Sequence, residues 1–174
     1  MADSPANTAM VLDLLNSRGV IEAVADHLGE RPCFSLQKST LRQLEPGFQR
    51  ASWHQDGAFL GSDVRTINVW TALTACGGDR PTPGLELVPK RMDQILSVDG
   101  GIVVSSISPG LIEEVTRETP TVRPEFEPGD GLVFDERFLH CTYLHEHMTE
   151  DRYALECWLF APSHRSPEYL PFLV

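Results

Sequence analysis

No stretch of this 174-residue chain is apolar over the roughly 20 residues that a membrane-spanning helix requires, so no membrane partner is expected. The opening MADSPANTAM lacks a basic region followed by an apolar core; no secretory leader is expected, and a cytoplasmic setting is. Positive charge is scarce: 14 Lys and Arg stand against 25 Asp and Glu, for a formal net charge of −11. Nucleic-acid binding depends on clustered Lys and Arg that displace counterions, and without such a cluster no DNA or RNA partner is expected. Cys33, Cys76, Cys141 and Cys157 never fall in C-x-x-C spacing. That argues against a zinc knuckle or dithiol motif, and for reduced thiols packed as small hydrophobes. Also missing are a P-loop, a G-x-S-x-G elbow, a G-x-G-x-x-G fingerprint, internal repeats and low-complexity tracts.

What remains reads as one domain over residues 1–174, long enough to bury a core. Residues 8–29 carry two short amphipathic helical stripes separated by Gly19: Met10, Val11, Leu14 and Leu15, then Val20, Ile21, Val24 and Leu28. From Cys33 the pattern turns to short strand-like runs at 33–44, 64–74, 85–88, 101–106, 131–143 and 152–160. Pro- and Gly-rich breaks separate them, and a brief helix around Leu111–Glu118 is entered through Ser108-Pro109. Many short strands with such punctuation predict a sandwich or barrel with little helix.

Two of these runs carry chemistry. His54 and Asp56 flank Gln55, and on an extended segment alternation puts both on one face. In the run to Thr142, Leu132, Phe134, Phe138, His140 and Thr142 share a face, which delivers a second imidazole. Two His and one carboxylate cover one face of an octahedral ion and leave the other open, as in non-heme Fe(II) oxygenases. In the last run Arg152 shares a face with Ala154, Glu156 and Trp158. A guanidinium on a partly aromatic face needs an anionic partner, either a ligand carboxylate or an acid such as Glu156.

The order WHQDG (53–57), INVWTAL (67–73), GLELVP (84–89), PGDGLVFDERFLH (128–140) and RYALECW (152–158) resembles the phytanoyl-CoA dioxygenase family of Fe(II)- and 2-oxoglutarate-dependent oxygenases. The resemblance covers roughly residues 36–162. It implies a mainly β, double-stranded β-helix (jelly-roll, cupin-like) fold with short N-terminal helices packed on the barrel. Residues 1–30 would form the helical segment, 33–162 the jelly-roll core and 163–174 a C-terminal tail. It implies iron ligation by His54, Asp56 and His140, with Arg152 and Thr142 on the distal carboxylate of 2-oxoglutarate. Gln43 matches a polar position near the cosubstrate, and Trp70 lines the pocket or packs as a core aromatic. The activity implied is oxidation, typically hydroxylation, of a small secondary-metabolite-like molecule with O2, releasing succinate and CO2. Related halogenases carry a small residue where this chain has Asp56, which favours oxygenation.

One departure is Pro89-Lys90-Arg91-Met92, where the family often reads P-G-S-H. Two other readings stay open: a cupin-like hydrolase or isomerase holding zinc in the same three ligands, and a non-catalytic jelly-roll binding module. Arg152 and Thr142 argue for the oxygenase, since the rivals need no dicarboxylate tail site. His145 and His147 read as a solvated loop, and Arg50, Arg65 and Arg123 as surface charge.

Overall fold

The computed structural model describes residues 1–47, 52–61, 63–98, 105–169 and 171–174. The chain opens with α1 (Pro5–Ser17) and α2 (Val20–Leu28), divided at Gly19, and α2 stops at a left-handed Gly29. Two short strands follow, β1 (Cys33–Ser35) and β2 (Thr40–Leu44), then a single helical turn, α3 (Gly57–Leu60). Next come β3 (Thr66–Ala72), β4 (Cys76–Gly77), β5 (Gly84–Arg91) and α4 (Pro109–Glu118). Proline opens α4, and the Ser108 hydroxyl accepts a hydrogen bond from the Leu111 amide at 3.4 Å. The remainder is β6 (Glu125–Phe126), β7 (Gly131–Asp135), β8 (Phe138–Tyr143), β9 (Arg152–Phe160) and β10 (Pro171–Leu173).

These strands form a jelly-roll of mostly antiparallel pairs. The larger sheet runs β10-β1-β9-β3-β7, with β2 pairing the other end of the β9 edge that β1 occupies. The smaller sheet is β5 with β8, extended on one side by a bridge from His54 to His140 and on the other by one from Leu87 to Val122. Alternation assigns the faces. In β3 and β9, Ile67, Val69, Cys157 and Leu159 point outward onto Leu15, Ile21, Val24 and Leu28 of the two helices. Burying each such aliphatic side chain contributes about 1.5–3 kcal/mol. Asn68, Trp70, Glu156 and Trp158 alternate with them and face the space between the sheets. On the far side α4 covers Val88 and Leu139 of the smaller sheet.

Several expectations change in detail. The first helix buries Thr8 and Leu15, whereas Met10 and Leu14 are exposed. Several apolar residues of α1 surround its axis, and the face that packs is Thr8, Val11, Leu12 and Leu15. The run 33–44 breaks at a turn over 36–38, and 131–143 breaks at Glu136-Arg137, where the chain crosses from the larger sheet to the smaller. Crossing over two residues preserves parity, so Phe134 and His140 still face the same interior. The expected strand at 101–106 falls mostly on residues outside the described set, as does Arg50. All four cysteines are free and buried. No helix among the described residues is long and apolar enough to cross a membrane.

Candidate metal centre

His54 and His140 face each other across the sheet. Each backbone donates to the other's carbonyl, His54 N to His140 O at 3.0 Å and His140 N to His54 O at 3.1 Å. Directly opposed residues project to the same side, and the ring centres stand 4.4 Å apart. Asp56 arrives differently from the expected strand alternation: its backbone is helical, at the N-cap of α3. The extended segment ends at His54, and the chain turns because Gln55 is pinned on the opposite side. Gln55 is fully buried; its amide donates to Gln94 O and Arg137 O, and its oxygen accepts from Leu96 N. Gly57 then passes against the Glu136 carbonyl, to which its amide donates at 2.8 Å. A Cβ there would lie 2.5 Å from the Ile95 side chain and 3.1 Å from that carbonyl.

The three side chains converge. Asp56 Oδ1 is 3.6 Å from His54 Nε2 and 3.8 Å from His140 Nε2, and all three donor groups lie within 4.8 Å of one another. His54 Nδ1 sits 2.8 Å from Ser52 O, and His140 Nδ1 3.0 Å from Phe138 O. A carbonyl only accepts, so each Nδ1 carries the proton and each Nε2 turns a lone pair to the cavity. Burial, reinforced by the second ring, lowers the His54 pKa to about 4. Burial likewise lowers that of His140. Both rings are therefore neutral at physiological pH, the form that binds a metal. Burial pushes Asp56 the other way, up to about 7, and its Oδ2 has no hydrogen-bond partner. Two lone pairs and an orphaned carboxylate oxygen within reach of one point fit a divalent cation.

The ligands open into a cavity of about 370 Å³ lined by Asn68, Trp70, Phe134, Thr142, Arg152 and Glu156, among others. Arg152 is buried, donates to Gly84 O at 3.0 Å, and has no carboxylate within ion-pair distance among the described residues. Glu156, its possible internal partner, instead pairs with Arg42 at 3.0 Å. Trp70 lines the cavity and is also core: it is buried, packs on Phe126 and lies 5.5 Å beneath the Arg152 guanidinium. Gln43 sits on the exposed rim and donates to Asp151 at 2.9 Å. Five of the seven buried polar atoms without a partner among the described residues belong to cavity-lining side chains: Asp56 Oδ2, Asn68 Oδ1, Trp70 Nε1, Arg152 Nε and Trp158 Nε1. That concentration marks a polar ligand site rather than a packing fault. A larger hollow of about 500 Å³ between α1 and β10 has no comparable convergence.

Other candidates fall outside. His145 and His147 pack against each other, tilted by 45°, in a separate loop. Arg65 donates to His27 O, and Arg123 pairs with Glu86 and stacks on Tyr143. Residues 89–92 do not line the cavity; Arg91 pairs with Asp135. Sequence reasoning missed Lys38, Asn68 and Phe59, which do line it. Asn68 lies within the INVWTAL run, where alternation with Trp70 could have placed it, whereas Lys38 and Phe59 stand in no motif and reach the cavity through the fold.

No family model matches the sequence, and no curated protein matches it. Solved structures match in fold. EctD from S. alaskensis with bound Fe aligns at a TM-score of 0.66 and 19% identity, over 80% of this chain and 48% of EctD. The same protein with 2-oxoglutarate and 5-hydroxyectoine aligns at 0.64, with the same identity and coverage. The epimerase SnoN, in complex with Fe3+, alpha ketoglutarate and nogalamycin RO, aligns at 0.58 and 17% identity over 81% of this chain and 54% of SnoN. The likeness is one of fold, and the chain spans about half the length of these proteins.

Proposed function

We propose that this chain carries the catalytic jelly-roll of an Fe(II)- and 2-oxoglutarate-dependent dioxygenase of the phytanoyl-CoA dioxygenase type, which hydroxylates a small molecule. The observation that carries the reading is the pairing of two features in one cavity. A His-Asp-His set lies there with its donor atoms free, beside a buried guanidinium without a counterion. A zinc hydrolase or a plain binding module requires the first or neither; a dicarboxylate cosubstrate accounts for both. Solved proteins of this fold hold Fe and 2-oxoglutarate, which supports the same choice.

In this reading His54, Asp56 and His140 hold the iron. When bound, the metal and its cosubstrate supply O2 activation, coupling conversion of 2-oxoglutarate to succinate and CO2 with substrate oxidation. The protein's own side chains position and exclude. Arg152, anchored on Gly84 O, offers its remaining donors to the distal carboxylate of 2-oxoglutarate, where a planar fork suits two-point recognition. Thr142, two residues beyond His140 and lining the same cavity, adds a hydroxyl donor. Trp70 floors the guanidinium and keeps water from it. Ser52 O and Phe138 O lock the imidazoles in the ligating tautomer. Asp56 fills the position that a halide would need, which favours hydroxylation over halogenation.

The test is anaerobic addition of Fe(II) and 2-oxoglutarate to purified protein. A weak visible charge-transfer band is expected, lost in Asp56→Ala. In Arg152→Met the band should require roughly ten- to a hundred-fold more 2-oxoglutarate, as befits one charge-assisted pair. A folded, iron-loaded protein that shows no band would refute the reading. Normal cosubstrate affinity in Arg152→Met would refute the role of Arg152 alone.

A further inference from the structure

Among the described residues three cations line the cavity, Lys38, Arg42 and Arg152, and of these only Lys38 has neither an ion pair nor a role in the reading above. Arg42 is paired with Glu156. With both imidazoles neutral, a divalent iron and the two carboxylates of 2-oxoglutarate cancel in formal count, and Asp56, whose charge acts on Lys38, offsets one of the two cations that Glu156 leaves. One positive charge remains.

Its position is built by the strand break at 36–38. β1 pairs with Leu159 and Phe160, and β2 with residues 152–156, so the intervening turn passes over Cys157 and Trp158 of the same strand. Buried Ser39 fixes the turn by accepting from Trp158 N at 3.0 Å. The Lys38 ammonium then lies over three rings, 4.5 Å from the centre of Phe59, 5.3 Å from Trp158 and 5.4 Å from Tyr169. Aromatic faces hold a cation but leave its three N–H donors for other acceptors. Among the described residues the ammonium has neither an ion pair nor a hydrogen bond. Half-buried and held on one side, it differs from a freely solvated surface lysine. Beside it Phe59 is 42% exposed, and Leu44 and Leu144 line the same space, so an apolar surface adjoins the charge.

We propose that Lys38 is the substrate anchor, and that the substrate is a small carboxylate with an apolar body lying against Phe59. The inference rests on the iron and 2-oxoglutarate reading for its charge count, and the test separates the two. Trifluoroacetate and trifluoroacetamide, alike in size and different in charge, are titrated by fluorine NMR into protein saturated with Fe(II) and 2-oxoglutarate under argon. The chelate band, recorded first, judges the iron reading alone. If it fails to form, Lys38 is judged on metal-free protein by the difference between wild type and Lys38→Met.

Trifluoroacetate should bind roughly ten-fold more tightly than the amide, the worth of one charge-assisted contact. Lys38→Met, which keeps the stem packed on the rings, should erase the preference, and Lys38→Arg should retain it. In Lys38→Met the 2-oxoglutarate titration of the band should stay where it is in wild type, unlike that of Arg152→Met. The proposal is overturned by folded protein that shows no preference, or by a preference that survives Lys38→Met. It is equally overturned if 2-oxoglutarate binding weakens in Lys38→Met, which would make Lys38 part of the cosubstrate site.

Discussion

Asp56 bears a sharp electrostatic conflict. It is 2% exposed, its Oδ2 is orphaned, and burial lifts its pKa from 3.8 to about 7. Between those two values the native state keeps a proton that the unfolded chain has lost. Stability therefore falls as pH rises through that window and levels off above it, with a full penalty of about 4 kcal/mol. Asp56→Asn removes the titration. In urea denaturation of chelator-treated protein, Asp56→Asn should be more stable than wild type, by about 2 kcal/mol at pH 5.5 and about 4 kcal/mol at pH 8. His54 and His140 titrate in both proteins and cancel in the difference. A gap that does not change with pH would show that the carboxyl is not held protonated. The stabilised variant should bind no Fe(II), so the cost of the buried carboxylate is one that metal binding offsets.

At the scale of elements, the site depends on close backbone approaches as much as on side chains. Gly84 opens β5, and a Cβ on it would lie 2.5 Å from the Gly77 Cα of β4, backbone against backbone. Its carbonyl is the acceptor that orients Arg152. Gly84→Ala must displace the start of β5 and should cost about 1–3 kcal/mol, as overpacking does. Because the iron ligands lie elsewhere, the variant should lose 2-oxoglutarate affinity while keeping Fe(II) affinity, read by titrating each separately. Equal losses in both would mean that the displacement spreads through β8. Much of this level was legible beforehand: β9 begins at Arg152 and ends at Phe160, as its alternation indicates, and α4 starts at its Ser-Pro signal. The bridge between His54 and His140 was not, since nothing local encodes a pairing between residues 86 positions apart. Lys38 was hidden for the same reason, because its place is set by the turn that β9 forces between β1 and β2. In α1 the apolar residues outnumber what one face can hold, and only packing against Phe34 and Leu159 selects Leu15 over Leu14.

The whole molecule is a four-layer stack, in which α1 and α2 cover one sheet and α4 covers the other. The cavity between the sheets is where their interests diverge. Trp70, Asn68, Arg152 and Glu156 come from the larger sheet, whereas His140 and Thr142 come from the smaller, with His54 bridged to it. In metal-free protein this seam is lined with polar atoms that lack partners, and its two walls are joined by the buried cluster that includes Trp70, Phe134, Ala154 and Leu85 and by the bond from Arg152 to Gly84 O. A metal on His54, Asp56 and His140 that also holds a dicarboxylate reaching Arg152 would tie one sheet to the other. Ligands that bind only the native state stabilise it by mass action, by about 2.7 kcal/mol at a hundred times the dissociation constant. For a domain of this size each kcal/mol moves the melting temperature by about 2–4 °C. Under argon, Fe(II) should raise the melting temperature, and saturating 2-oxoglutarate should raise it by roughly a further 5–10 °C. Without metal, 2-oxoglutarate should do little, because Arg152 alone offers one end of the tie. In Arg152→Met the metal increment should survive and the 2-oxoglutarate increment should collapse. If the cosubstrate stabilised metal-free protein as strongly, the two sheets would be joined by something other than the iron, and the ligand would be reading cations rather than the centre.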